Sequence, residues 1–457
     1  MRARFSPLLL PVLFALVGCP ATPNPPATTP PSTPVTTTPS PVMPSDEKSA
    51  SAEPAEEKPA PDDPALIDKL KHLGAKITVD DDKVVTVVDL SGETMDQVEK
   101  ANDVFAILGK FVHLQKLMAF GPEIRNDQLA KIAGLTELEE LELVNSNIND
   151  EGIDSLLKMK NLETLYLRRA NLTDSGLEKL SGLTKLQRLD LRFTNVTNAG
   201  MPAVAKLTKL RSLLLEATKV GDAGLASLTN LKNLVKLNLW GERFTSAAAE
   251  HIQKLTSLEA LELDDTRVKD DGLKLLAGLT KLKELSLVRT RITNEGLAVL
   301  KGMKDMRVLQ LRDTMSTDAG LENIAGLTNL RKLDLSEGIY GDDGIKHLAG
   351  LTNLEELKLW KVPVSNEGLA PITGLTKLRK LDLSESRIDD DGVKMLKPLV
   401  NLEELNLSIT QISPATLELL PEFKKLKVLS INNCVQVSPD AKAALQKEMP
   451  ALKILGP

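Results

Sequence analysis

Aromatic residues are scarce in this chain: of 457 residues, 8 are Phe, 2 Tyr and 2 Trp. An aromatic core is excluded, and the 42% of hydrophobic residues must pack as aliphatic side chains, mostly leucine. Cysteine occurs twice, at Cys19 and Cys434. That excludes a disulfide framework and a cysteine-rich metal cluster. The four histidines, His72, His113, His251 and His347, stand far apart with no metal-ligand spacing, so no metal site is expected. Net charge is only −6, from 57 basic and 63 acidic residues, which speaks against a nucleic-acid-binding surface. No G-x-S-x-G, H-E-x-x-H or glycine-rich phosphate loop occurs, and the acidic pairs Glu139-Glu140, Glu355-Glu356 and Glu403-Glu404 read as solvated faces. Neither catalytic residues nor a cofactor is expected, and the chain does not read as an enzyme.

What the chain has in abundance is period. L-x-L pairs, L-x-I in the last unit, begin at Leu141, Leu165, Leu189 and onward to Leu429, every interval being 24 residues. Such regularity is the mark of a solenoid, in which each unit packs only on its neighbours and successive units share one elongated core. Each unit reads as a short strand, a turn and a helical return. In the unit starting at Leu261, Leu261 and Leu263 lie two apart and face inward. Thr266 follows at the turn and Val268 packs inward. Asp270-Asp271-Gly272 opens the helical side, where Leu273, Leu276 and Leu279 face the core. The recurrent Asp or Asn, from Asp174 and Asn198 through Asp390, is expected to be a helix N-cap. The Gly two places on permits close packing, and the second Gly, as at Gly278, ends the helix. Four departures stand out: Ser246–Ala249 replaces the D-x-G-L element and reads as regular helix, Pro363 interrupts a unit, Thr416 replaces Gly, and Cys434 takes a turn-Thr place. Cys434 is expected to be a buried or half-buried free thiol.

Residues 1–18 read as an export signal: Arg2 and Arg4 precede an apolar run too short to span a bilayer. It ends Leu16-Val17-Gly18-Cys19, a tetrad that resembles a bacterial lipobox. The resemblance implies that the Cys19 thiol takes a diacylglycerol and becomes the new N-terminus, anchoring an exported protein to the cell envelope. Pro20 stands where an Asp would favour the inner membrane, so the outer membrane is favoured. Residues 19–64 are rich in Pro, Thr and Ser and poor in large apolar residues, a tether expected to be disordered. As polyproline II it would reach ~130 Å. Residues 65–116 read as an N-terminal cap. It comprises a helix over Pro64–Gly74 with Leu66, Leu70 and Leu73 on one face, a hairpin around Asp80–Asp82, and a second helix over Thr94–Leu108. Residues 117–440 are the repeats and 441–457 a C-terminal cap.

The cap segment ending V-V-D-L-S-G at Val87–Gly92, followed by units of the form G-L-T-x-L-x-x-L-x-L-x-x-T-x-I-T-D-x-G-L, resembles the bacterial leucine-rich-repeat lipoproteins. The unit is also similar to the cysteine-type leucine-rich repeats of F-box proteins. No F-box-like module precedes it, so that role is not carried over. The resemblance covers Ala65 to the C-terminus. It implies an α/β solenoid, a leucine-rich-repeat horseshoe of 24-residue units with a parallel concave sheet and a helical convex side.

The expected function is a membrane-anchored interaction module binding a protein or envelope glycan on the concave face. The alternative is a structural, self-associating envelope protein. The residue after the second strand Leu supplies a column of outward side chains that includes both tryptophans, Trp240 and Trp360. Trp is enriched at interaction hot spots. With its neighbours this column yields the candidate site: Tyr166, Arg168, Arg169, Arg192, Phe193, Leu214, Trp240, Arg289, Arg312 and Trp360, with Arg291 beside the second arginine group. Tyr and Trp would anchor a partner and Arg would select an acidic or hydroxyl-rich one. The partner itself is unknown, no nucleic acid is expected, and a monomer is expected.

Overall fold

The computed structural model describes residues 59–456. The signal segment, Cys19 and the tether up to residue 58 lie outside the described residues. Among the described residues no helix is long and apolar enough to cross a membrane.

The folded body begins at Asp62, ahead of Ala65. The Asp62 carboxylate accepts from Val85 N–H at 2.7 Å, and Asp63 caps helix α1, Pro64–His72, by accepting from Ala65 N–H. Helix α1 buries Ile67 and Leu70, with Leu66 and Leu73 half-buried beside them. Strands β1, Lys76–Val79, and β2, Val85–Thr94, form the antiparallel hairpin. Helix α2 covers Val98–Leu108 and not the stretch from Thr94. The reason is pairing: Thr94 is matched with Phe120 of strand β3, Lys116–Phe120, and Met95 N–H bonds to the Phe120 carbonyl at 2.7 Å.

From β2 onward all pairing is parallel, and the described residues form one sheet of 17 strands. The 24-residue period is the register itself: Leu141 pairs with Leu165, Leu165 with Leu189, and so on to Leu429. Both leucines of each L-x-L are buried, as Leu261 and Leu263 show at 0% exposure. One continuous core runs from Ile67 to Leu452. Each buried aliphatic side chain contributes about 1.5–3 kcal/mol, the main stabilising effect. The turn Thr is buried and donates its hydroxyl to the second Leu carbonyl, as Thr266 does to Leu263 at 2.7 Å. Cys434 fills the equivalent place as a free buried thiol, 3.1 Å from the Leu407 carbonyl.

The recurrent Asp/Asn corrects the N-cap expectation. The cap is the residue before it: Thr173, Thr293 and Ser413 accept from the second backbone N–H of their helices. The acid instead reaches into the next unit. Asp174 accepts from Thr197 N–H at 2.7 Å and from the Thr197 hydroxyl at 2.6 Å. Asp342 does the same with Ser365, at 2.9 and 2.6 Å. Asn198, with one carbonyl oxygen, accepts only Gly221 N–H, at 2.8 Å. The result is a ladder of side-chain bonds parallel to the sheet. The Gly two places on makes room for it, since a Cβ on Gly200 would lie 2.5 Å from Asp174 Oδ1. Thr416 stands in the Gly place by joining the ladder, donating its hydroxyl to Asp390 at 2.5 Å.

The helical side is shorter than a regular helix throughout. The turn at Ser246 is a 3-10 turn, Ser246–Ala248, running into a four-residue α-helix, Ala249–Ile252, and not one regular helix. Gly278 closes the 3-10 turn Leu276–Gly278 without entering the left-handed region. At the C-terminus helix Pro439–Glu448 and strand Lys453–Leu455, paired with Val428–Ser430, cover the end of the stack.

Candidate functional site

The outward face of the sheet is built from two sets of positions. The middle residue of each L-x-L projects from the strand itself. The residue after the second Leu lies at the strand end, followed in every repeat by a residue in the left-handed conformation, from Asn145 and Arg169 to Asn433. Non-glycine residues stand there in all but one unit, Gly241 being the exception. The strain is held by a bond from that residue's N–H to the next unit, as from Arg169 to the Arg192 carbonyl at 2.9 Å.

The structure divides the candidate residues into free and occupied. Arg192 is occupied: its guanidinium grips Asp190, which is 2% exposed, with Nε at 2.9 Å and Nη2 at 2.6 Å, and Glu216 stands 3.7 Å away. Asp190 holds Arg192 above its ordinary range in return. Arg289 grips Asp265 by two bonds, at 2.6 and 2.5 Å. That bond and a hydrogen bond from Trp240 hold the Asp265 carboxyl below its usual range. Arg312 bonds to Glu337 at 2.9 and 2.7 Å and stacks over Trp360, 4.8 Å from the ring centroid. Trp360 in turn donates Nε1–H to Glu385 at 2.9 Å. Arg291 does not join this group; it is an exposed turn residue.

Arg168 and Arg169 differ. Both guanidinium groups lie over the Phe193 ring, at 5.2 and 5.0 Å from its centroid, and neither forms an ion pair among the described residues. Arg168 Nε is buried without a hydrogen-bond partner. Tyr166 is half-buried on the same repeat and Leu214 half-buried two strands on. Of the arginines singled out on this face, these two alone keep their charge uncompensated.

Apart from Tyr166 and Leu214, sequence reasoning passed over the middle residues of L-x-L, and these line a run of hollows. A cavity of about 200 Å³ is lined by Glu262, Asp264, Glu284, Ser286 and Gln310. It shares Glu284, Val308 and Gln310 with a second of about 310 Å³, which in turn shares Glu356 and Lys358 with a third of about 400 Å³. The hollows form a trough of carboxylates, amides, hydroxyls and lysines. Burial pushes the Asp264 carboxyl up, although hydrogen bonds from Ser286 and Val288 N–H oppose the rise. At the other end of the sheet Glu142 is pushed up to about 7 by burial and by a hydrogen bond and charge from Glu140. The signal was present in the sequence, as the x of every L-x-L. No group of residues suited to holding a metal ion occurs among the described residues.

The chain matches the family model for a leucine-rich repeat region over residues 191–454, and a second leucine-rich-repeat model over 135–157 and 158–181. None of the curated proteins matches it at a significant level. Among solved structures it is similar to an internalin from Listeria monocytogenes, with 23% identity, a TM-score of 0.53, and coverage of 72% of this chain and 88% of that one. It is also similar to a leucine-rich-repeat protein from Leptospira interrogans, with 20% identity, a TM-score of 0.52, and coverage of 77% and 91%. These likenesses establish the fold. With the family model covering more than half of the sequence, the chain belongs to the leucine-rich-repeat family.

Proposed function

We propose that this protein is a lipid-anchored interaction module of a bacterial cell envelope, binding a protein or envelope glycan on the outward face of its sheet. The observation that carries the reading is the Arg168–Phe193–Arg169 stack, in which two guanidinium groups share one ring and have no carboxylate partner among the described residues. An unpaired charge held over an aromatic ring is ready to take an acidic group from outside, because no internal bond has to break first. The trough between Glu262 and Ser430 supplies the remaining polar contacts. Membership of the leucine-rich-repeat family supports a scaffold of the interaction type and not an enzyme. The anchor rests on Leu16–Cys19 and the reach on the segment that follows.

The test has two arms. Cys19→Ser should move the protein from the membrane to the soluble fraction and abolish labelling by a fatty-acid probe. Arg168→Ser with Arg169→Ser should remove a partner that the wild-type chain captures from envelope fractions, with the thermal midpoint unchanged. Capture of its own chain alone, unaltered by the variant, would replace this reading with a self-associating structural role.

A further inference from the structure

Two places beyond each left-handed residue lies an exposed turn position. It is Asn in the first three units, Asn147, Asn171 and Asn195, and basic in the next four, from Lys219 to Arg291. Three consecutive units then break the pattern with Met315, Ile339 and Pro363, Arg387 is again basic, and Gln411 and an isolated, exposed Val435 close the column. Met315 is 58% exposed and Ile339 63%, and Pro363 is exposed beside them. Adjacent units are one strand spacing apart, so the three side chains make an apolar stripe ~10 Å long.

The stripe is held rigid from below. Each member is followed by a buried residue, Ser316, Tyr340 or Val364. The Tyr340 hydroxyl lies 2.6 Å from Ser316 Oγ and 3.3 Å from Thr314 Oγ1. Pro363, with its fixed φ, sits between buried Val362 and Val364. The backbone under the stripe is thereby fixed, and the freedom lost on binding is that of the exposed Met315 and Ile339 side chains.

Size and charge decide the occupant. Three side chains over ~10 Å fall far short of the ~800 Å² per partner of a stable dimer, which argues against a second copy. An anionic membrane is disfavoured because exposed Asp313, without an ion pair among the described residues, and Glu385 stand on the same loop edge. What the stripe does have is a cation at each end: neither Arg291 nor Arg387 forms an ion pair among the described residues. We propose that Met315, Ile339 and Pro363 are a docking ridge for an extended polypeptide segment with an apolar centre and a carboxylate to each side, the carboxylates meeting Arg291 and Arg387. This ridge is separate from the sheet face and does not depend on it.

The test is selection of a random peptide library displayed on phage against the full chain and against Met315→Asn/Ile339→Asn/Pro363→Asn. Asn is what this position carries in the first three units, so the fold is preserved. The wild-type chain should enrich peptides of the acidic–apolar–acidic pattern. Synthetic versions should lose about tenfold or more in affinity on the triple variant and on Arg291→Asn/Arg387→Asn, and keep it on Arg168→Ser/Arg169→Ser. Enrichment of the same peptides by the triple variant, or of peptides without that pattern, would overturn the proposal. So would sedimentation with phosphatidylglycerol vesicles that the triple variant loses, since the ridge would then be a membrane contact.

Discussion

The hydroxyl of Tyr340 lies 2.6 Å from Ser316 Oγ in the preceding repeat, and both side chains are fully buried. In the other units from Ile148 to Ile412 this inward position holds Val, Ile, Leu or Phe, as at Val268 and Ile292. The large Tyr fits because its neighbour in the stack shrinks to Ser and because Gly338 clears the ring, whose edge a Cβ there would meet. The two departures are one exchange of volume, closed by a hydrogen bond. Tyr340→Phe should therefore cost about 1–2 kcal/mol, and Ser316→Ala a similar amount. The double variant should cost less than their sum, giving a coupling of about 0.5 kcal/mol or more in denaturant unfolding. Strict additivity would show the contact to be incidental.

The Asp ladder gives a second expectation. Asp342→Ala removes both acceptors for Ser365 and should lower stability by about 2 kcal/mol, whereas Asp342→Asn keeps the backbone bond and should lose about half as much. Acid should act on the same feature. Burial alone would raise Asp390, but the hydroxyls of Ser413 and Thr416 and their backbone N–H groups outweigh it and hold the carboxyl below its usual range. A depressed carboxyl stabilises the fold above its unfolded value, and that stabilisation is lost as pH falls through the folded value. Wild type minus Asp390→Asn should thus show a stability difference at neutral pH that shrinks below about pH 4.

Glu142 carries the opposite sign. Burial and Glu140 raise it from the ordinary 4.5 to about 7, so the folded state prefers its neutral form. Its contribution is complete below the ordinary value and declines as pH rises through about 7. Glu142→Gln, which is neutral at every pH, should leave the thermal midpoint near that of wild type at low pH. It should raise the midpoint above pH 7. An equal effect at both pH values would show that the carboxyl is not protonated in the fold.

The left-handed residues supply a fourth. Ala217 has φ 53° at a place where one unit carries Gly241. Ala217→Gly should stabilise by about 0.5–1 kcal/mol, relief of the Cβ contact outweighing the added freedom of the unfolded chain. Destabilisation would mean that the site packs through its methyl group.

The repeat was legible because its cause is local. Period-two leucines and a constant interval specify strand, register and core together, so the register of Leu141 on Leu165 was readable from spacing alone. Side-chain bonds between units were not. Asp174 looked like a cap because caps are local, yet its partner Thr197 lies one turn of the solenoid away. The same blindness affected the candidate site. Arg192, Arg289 and Arg312 read as available charge, and only the folded chain reveals the carboxylates of Asp190, Asp265 and Glu337 beside them. The turn column of Met315, Ile339 and Pro363 was visible as letters, but exposure is what gives it meaning.

The central claim is that the sheet face around Tyr166, Arg168 and Arg169 meets the partner. The most direct measurement places a benzophenone side chain at position 166 in one full-length protein and at Glu178, exposed on the helical side, in another. Irradiation in intact envelopes should give an adduct with one envelope component from position 166 and none of that adduct from position 178. Adducts of the same kind from both positions, or from position 178 alone, would contradict the account.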